Sequence, residues 1–216
     1  MEEQRIYARR FNPDLKFRNE MWKILCRDFF QKYIDPDSRI LEIGAGYCEF
    51  INQIHAAEKI ALELNPDVRS YAAADVRIIQ ERSSRMNAVG DHSVEVVFAS
   101  NFFEHLSREE ILATFREVYR VLVPGGKFMV LQPNIRFCGK DYWMFFDHLT
   151  PIDDRAFVEA LEICSFEMQE LITRFLPFTT KSRLPRSPFL LRLYLRLRMV
   201  WPLFGQQSFI LSRKPK

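Results

Sequence analysis

Short apolar runs at Arg39–Ile43, Lys59–Leu64, Val76–Gln80, Val94–Ser100 and Lys127–Leu131 alternate with helix-patterned or turn-rich segments. Two more runs, Phe166–Phe175 and Ser208–Ser212, read as strands near the end of the chain. Strands alternating with helices indicate an open, mostly parallel sheet covered on both faces. The intervening helices carry recognisable signals. Leu15, Trp22, Leu25, Phe29 and Tyr33 recur near helical spacing, so a helix is expected over Asp14–Tyr33 with Asp14 as its N-cap. A second is expected over Tyr47–Ala57, and a short one after Asn65-Pro66-Asp67. Ser107 and Glu110 have capping-box spacing ahead of the apolar face Ile111, Phe115, Val118, Tyr119 and Leu122, with Pro124-Gly125-Gly126 as the stop. Another helix is expected from Thr150-Pro151 to about Cys164.

In such sheets ligands bind outside the carboxyl ends of the strands. The first strand leads straight into Gly44-Ala45-Gly46, within RILEIGAGYCEF, so that turn belongs to the ligand edge. Two ligands compete for it. A dinucleotide fingerprint needs a third glycine for close helix–strand packing, and that position is Glu49 here. Glu49 would also place a negative charge beside a pyrophosphate. Both points disfavour NAD and an NAD-linked oxidoreductase. A sulfonium nucleoside has no phosphate and carries a positive charge, so a nearby acid is tolerable.

LEIGAGYCEF resembles the first motif of class I S-adenosylmethionine-dependent methyltransferases. The resemblance continues through ALELNPD, DHSVEVVFASNFFEHL and FREVYRVLVPGGKFMVLQPN, and covers Arg39 to Asn134. It implies an α/β, Rossmann-like sheet of seven mostly parallel strands in the order 3-2-1-4-5-7-6, with helices on both faces. It implies S-adenosyl-L-methionine as cofactor and S-adenosyl-L-homocysteine as product. By position, Glu42, Gly44, Ala45 and Gly46 are expected to line the methionine portion. Glu63 is expected to accept both ribose hydroxyls, with Leu64 beside it, and Asn101 and Phe102 to border the cofactor. Cys48 stands where the family has its third glycine. No acid stands clearly where the family binds the adenine amino group, and Ser83 is the expected substitute.

The chain is thus expected to be one methyltransferase domain over 1–216, with a helical extension over 1–37 and an insertion over 176–205. The whole pattern resembles the broad "type 11" group, and the expected reaction is O-methylation of a small or lipid-linked, sugar-like acceptor. A protein that binds the cofactor without turnover is the alternative. A hydroxyl acceptor must lose a proton, and histidine is the usual base. Of four histidines, His148 after strand five is the expected base, with Asp147 orienting it, and His105 in NFFEHL the second candidate. His55 and His92 are expected at the surface. Tyr142 and Trp143 are candidate walls of the acceptor pocket.

The four cysteines are scattered without a C-x-x-C pair, so the sequence signals neither a metal site nor a disulfide framework. Reduced thiols and a cytoplasmic protein are expected. The N-terminus lacks an apolar signal-peptide core, and no apolar run is long enough to span a membrane. Charge is distributed unevenly. The first 170 residues hold 21 basic against 28 acidic residues, a net of −7, while ten basic residues and no acid follow Glu170. That asymmetry points to an anionic partner for the C-terminal part. Within it, 185–204 mixes Leu, Tyr and Trp with Arg192, Arg196 and Arg198. Two readings stay open: a helix packing its leucines on the domain, or peripheral contact with the inner face of a membrane. Nucleic acid is disfavoured, since no recognition module is evident.

Overall fold

The computed structural model describes residues 15–178 and 187–216. Helix α1 (Leu15–Leu25) runs on through a π turn (Cys26–Phe30) and a 3-10 turn (Gln31–Tyr33). The helix expected to end at Tyr33 is therefore present with a mixed winding, while its expected cap, Asp14, lies outside the described residues. Strands β1 (Arg39–Ile43), β2 (Glu58–Leu62), β3 (Val76–Ile79) and β4 (Val94–Ser100) follow. Then come α2 (Arg108–Val121), β5 (Leu122–Pro133), the single turn α3 (Ile135–Cys138), α4 (Asp154–Ile163) and β6 (Glu167–Leu176). Helices α5 (Pro188–Arg196) and α6 (Trp201–Phe204) precede β7 (Gln207–Arg213).

The seven strands form one sheet in the order β3-β2-β1-β4-β5-β7-β6. β7 runs antiparallel to its neighbours, β5 and β6, while the other pairings are parallel. The parallel strands end nearly level, with Ile43 opposite Leu62 and Ala99, and Ala99 opposite Val130. Loops that leave these ends therefore meet at one edge. Both faces of the sheet are covered, which is why its central strands are apolar almost throughout. On one face Trp22, Phe29 and Phe30 of the N-terminal helical segment pack with Phe50, Phe98, Phe175, Trp201 and Phe209. On the other, Phe115 of α2 and Phe157 and Leu161 of α4 pack with Phe103 and Phe128.

Three boundaries differ from the sequence expectation, each for a local reason. Residues over Tyr47–Ala57 form a succession of turns instead of a helix. Cys48 has φ +56°, a left-handed backbone through which a right-handed helix does not propagate. The capping box of α2 is present, with Ser107 and Glu110 each satisfying the other's backbone N–H. Past α2, however, Pro124-Gly125-Gly126 lies inside β5, where the pairing with β4 shifts register between Val94 and Val96. Helix α4 starts later than Thr150, because Asp153 accepts the N–H groups of Arg155 and Ala156 and caps it there.

Candidate active site

β1 ends at Ile43, and the chain then turns with Gly44 at φ +66° and Gly46 at φ +52°. Those values are routine for glycine and costly for other residues. Gly44 has a second constraint. A Cβ there would stand 2.4 Å from Cδ2 of Phe102, whose ring lies directly over the turn. Cys48 occupies the third glycine position with the backbone a glycine would adopt, and is fully buried. Burial, with Glu42 nearby, pushes its thiol up to about 12, so it is chemically quiet.

Glu63 closes the turn from the tip of β2. One carboxylate oxygen accepts the Gly46 N–H at 3.0 Å and the other accepts the Asn65 N–H at 3.0 Å. Each oxygen retains a further lone pair. Gly44, Glu63, Leu64, Ser83 and Phe102, five of the residues picked from sequence, line a single cleft together with Leu106. The Ser83 hydroxyl is turned inward, 2.8 Å from the Thr114 hydroxyl, so it is its backbone that borders this cleft. Four other predicted residues do not line it. Ala45 is buried inside the turn, and Gly46 contributes the N–H bound to Glu63. Asn101 is exposed at φ +48° with its amide donating to Ser100 Oγ. Glu42 lies behind the turn, buried, with one oxygen accepting the Ile51 N–H at 3.1 Å. Burial holds the Glu42 carboxyl well above the usual carboxylate range, and the charges of Glu49 and Glu63 act in the same direction.

Arg18 of α1 is a contact the sequence offered no signal for. Its guanidinium grips Glu49 with two parallel bonds, Nε to Oε1 at 2.7 Å and Nη2 to Oε2, tying the N-terminal helix to the glycine turn. Glu49, the residue that argued against a phosphate, is thus neutralised from outside the motif.

A second group of polar residues gathers at the tips of β4 and β5. Glu104 is 1% exposed. Its Oε2 accepts Gln132 Nε2 from β5 at 3.0 Å, and its main-chain oxygen accepts the N–H groups of Leu149 and Thr150. Burial raises the Glu104 carboxyl above its ordinary value, and neighbouring His105 opposes the shift. His105 Nδ1 lies 3.0 Å from the main-chain oxygen of Asp147. A carbonyl only accepts, so Nδ1 carries a proton, and Nε2 lies 4.0 Å from Glu104 Oε1. The ring of His148 stands nearly perpendicular to that of His105, with centroids 5.1 Å apart. His148 is only 7% exposed and packs against Tyr142, Phe145 and Phe178. Asp147, expected to orient His148, lies beside His105, with its carboxylate 3.5 Å from Nδ1. Tyr142 is fully buried with its hydroxyl donating to the Thr150 carbonyl, so it supports the corner from below, whereas Trp143 is exposed. His55 and His92 are exposed, as expected.

The segment between β6 and β7 has an inner and an outer side. On the inner side Leu195 and Trp201 are buried against the sheet, Tyr194 donates to the Phe175 carbonyl, and Trp201 Nε1 donates to the Tyr194 carbonyl. The outer side is apolar as well: Phe189 (69% exposed), Leu193, Leu197, Met199 (90%), Leu203 (70%) and Phe204 reach solvent beside exposed Arg192, Arg196 and Arg198. Residues 179–186 of this segment lie outside the described residues. Among the described residues, no helix is long and apolar enough to cross a membrane.

Comparison with known proteins places this geometry. Residues 41–130 match the family model described as "Methyltransferase domain". The chain matches no curated protein. Its fold is similar to that of a SAM-dependent methyltransferase from Archaeoglobus fulgidus, at 19% identity and a TM-score of 0.68, covering 94% of this chain and 99% of that one. A SAM-dependent methyltransferase from Thermotoga maritima is similar at 17% identity and a TM-score of 0.69, covering 96% and 98%. The [4+2]-cyclase SpnF is similar at 17% identity and a TM-score of 0.63, covering 90% and 80%. A fold shared by names this different leaves the acceptor chemistry to be argued from the site itself.

Proposed function

We propose that this chain is a class I S-adenosylmethionine-dependent methyltransferase and that it O-methylates a small or lipid-linked, sugar-like acceptor presented at a membrane surface. The cleft residues fit the cofactor. The turn brings the bare backbone of Gly44 to the cleft, and Glu63, anchored by two N–H groups, keeps lone pairs for the ribose hydroxyls. Leu64, Phe102 and Ser83 supply walls for the nucleoside, while Glu42 and Ala45 shape the turn from behind. When bound, the cofactor supplies an electrophilic methyl group on a sulfonium and leaves as S-adenosyl-L-homocysteine.

The chain's part is to hold the acceptor in line and take its proton. The candidate bases remain His148 and His105, both at the tips of β4 and β5. His105, half-buried where His148 is buried, is the better placed to meet an acceptor, and His148 packs behind it.

The observation that carries the membrane-linked acceptor is the outward side of α5 and α6. Large apolar side chains, Phe189, Met199 and Leu203 foremost, stand in solvent there among three arginines, in a segment that itself has no acid, with Asp28 near Arg192 and Arg196. An apolar patch rimmed by cations suits insertion among anionic headgroups. This segment leaves the carboxyl end of β6, the edge that also bears the cleft and the histidines. Docking there would put the acceptor pocket next to the lipid and the protein at the inner face of the membrane. The test is sedimentation with phosphatidylglycerol-containing vesicles, alongside turnover of soluble and lipid-linked glycosyl acceptors. The variant Phe189→Ser/Met199→Ser/Leu203→Ser should lose at least about tenfold in vesicle affinity, because each side chain forfeits about 1.5–3 kcal/mol of burial. Its turnover of a soluble acceptor should be unchanged. Equal vesicle binding by variant and parent would sink the membrane reading and leave methyl transfer standing.

A further inference from the structure

We propose that Glu104, His105 and His148 form a binding site for one divalent transition metal of the zinc class. The site stands on geometry, and its use in catalysis rests on the O-methylation reading above, with the metal taking over from His105 the task of lowering the hold on the acceptor's proton. A carboxylate oxygen of Glu104, a ring nitrogen of His105 and one of His148 lie within 4.8 Å of one another. The Glu104–His105 pair is the telling part. With Nδ1–H donated to the Asp147 carbonyl, His105 turns Nε2 towards a carboxylate oxygen 4.0 Å away. The gap is too long for a shared proton, which needs about 2.7–3.2 Å. It is somewhat longer than the roughly 3.3–3.6 Å between two ligands of a tetrahedral metal bound at about 2.0–2.2 Å. Closing the three donors to tetrahedral spacing takes side-chain movements of about 1 Å.

Outer contacts of the kind that orient metal ligands are already made. The far nitrogen of His105 is fixed by the Asp147 carbonyl, and the far oxygen of Glu104 by Gln132 Nε2. Two imidazoles and one carboxylate suit zinc, iron, cobalt or nickel and suit magnesium or calcium poorly. Three protein ligands leave a fourth position open, and His105 is the member that reaches solvent. An acceptor hydroxyl bound there would lose its proton more easily, as metal-bound water does, with the proton passing to solvent and the oxygen free to attack the methyl carbon.

The decisive measurement uses the full chain, free of any affinity tag and dialysed against a chelator, titrated calorimetrically with Zn²⁺ in the absence of acceptor. One equivalent should bind, and Glu104→Gln and His148→Ala should each weaken it by at least about tenfold. His55→Ala, an exposed control, should not. A melting temperature that rises with Zn²⁺ in the parent protein gives a readout independent of variant folding. So does the visible spectrum of the Co²⁺ form, which should report nitrogen and oxygen donors. No saturable equivalent, a thiolate spectrum, or an affinity equal in parent and variants would overturn the site. S-adenosylmethionine binding is measured separately on the chelated protein, so loss of the metal site and loss of the methyl-transfer reading are different results.

Discussion

The tips of β1 and β2 and the tips of β4 and β5 face the same edge of the sheet, yet they are built differently. The first pair makes its site from backbone. Left-handed residues at Gly44, Gly46 and Cys48 fold the turn, and Glu63 holds it through two N–H groups. The second pair makes its site from side chains, with Glu104, Gln132, Asp147 and His148 drawn from three separate stretches of chain. A backbone site is encoded locally and suits a ligand common to many relatives. A side-chain site depends on how loops of different origin meet, and can be rebuilt for a different acceptor without disturbing the first. The contrast is consistent with a fixed cofactor half and an adaptable acceptor half.

The comparison breaks most sharply at Arg18, which holds the backbone site from outside. Arg18→Ala leaves Glu49 buried beside the turn without its guanidinium, at a cost of about 3 kcal/mol, the lower end for a broken buried pair because Arg18 keeps some solvent. Chemical denaturation should read that loss, and an unchanged midpoint would mean the N-terminal helix does not brace the turn. Next in size is Glu63→Ala. Losing a charged acceptor for the ribose should weaken S-adenosylmethionine by about 1.5–3 kcal/mol, roughly tenfold to more than a hundredfold. Calorimetric titration checks it, and equal affinity would retire the ribose role.

The smallest effect has the opposite sign. Glu42 has its carboxyl raised by burial, so the folded state keeps a proton that the unfolded chain gives up. Folding stability contributed by this group is therefore full below the ordinary carboxylate range, and falls as pH rises towards the folded value. Glu42→Gln keeps an acceptor for the Ile51 N–H and removes that loss. Thermal melts should show the variant level with the parent near about pH 4 and more stable near about pH 8. Parallel curves across that range would show that Glu42 does not titrate as its burial demands.

Much of the cofactor half is legible in the residues themselves. G-A-G after an apolar run demands left-handed backbone, and an acid at the next strand tip follows, so Gly44, Glu63 and Leu64 read as neighbours on one edge, and they line one cleft. The helix expected over Tyr47–Ala57 does not form, because a cysteine taking a glycine's backbone has no signature in apolar spacing. His148 is legible as a residue near the acceptor edge. Its burial under Tyr142, Phe145 and Phe178 is not, and neither is the contact of Asp147 with His105. The capping box of α2 is legible because both partners lie within one turn of helix.

Sequence alone determined the strand alternation, the glycine turn and the charge imbalance, since each rests on residues a few positions apart or on simple counts. Tertiary structure alone decided that Arg18 reaches Glu49, that three donors from two loops converge, and which leucines between β6 and β7 face inward. The reason is range: local backbone preferences act within a turn or a strand, whereas burial and pairing across about 30 or more residues exist only once the sheet has brought those residues together.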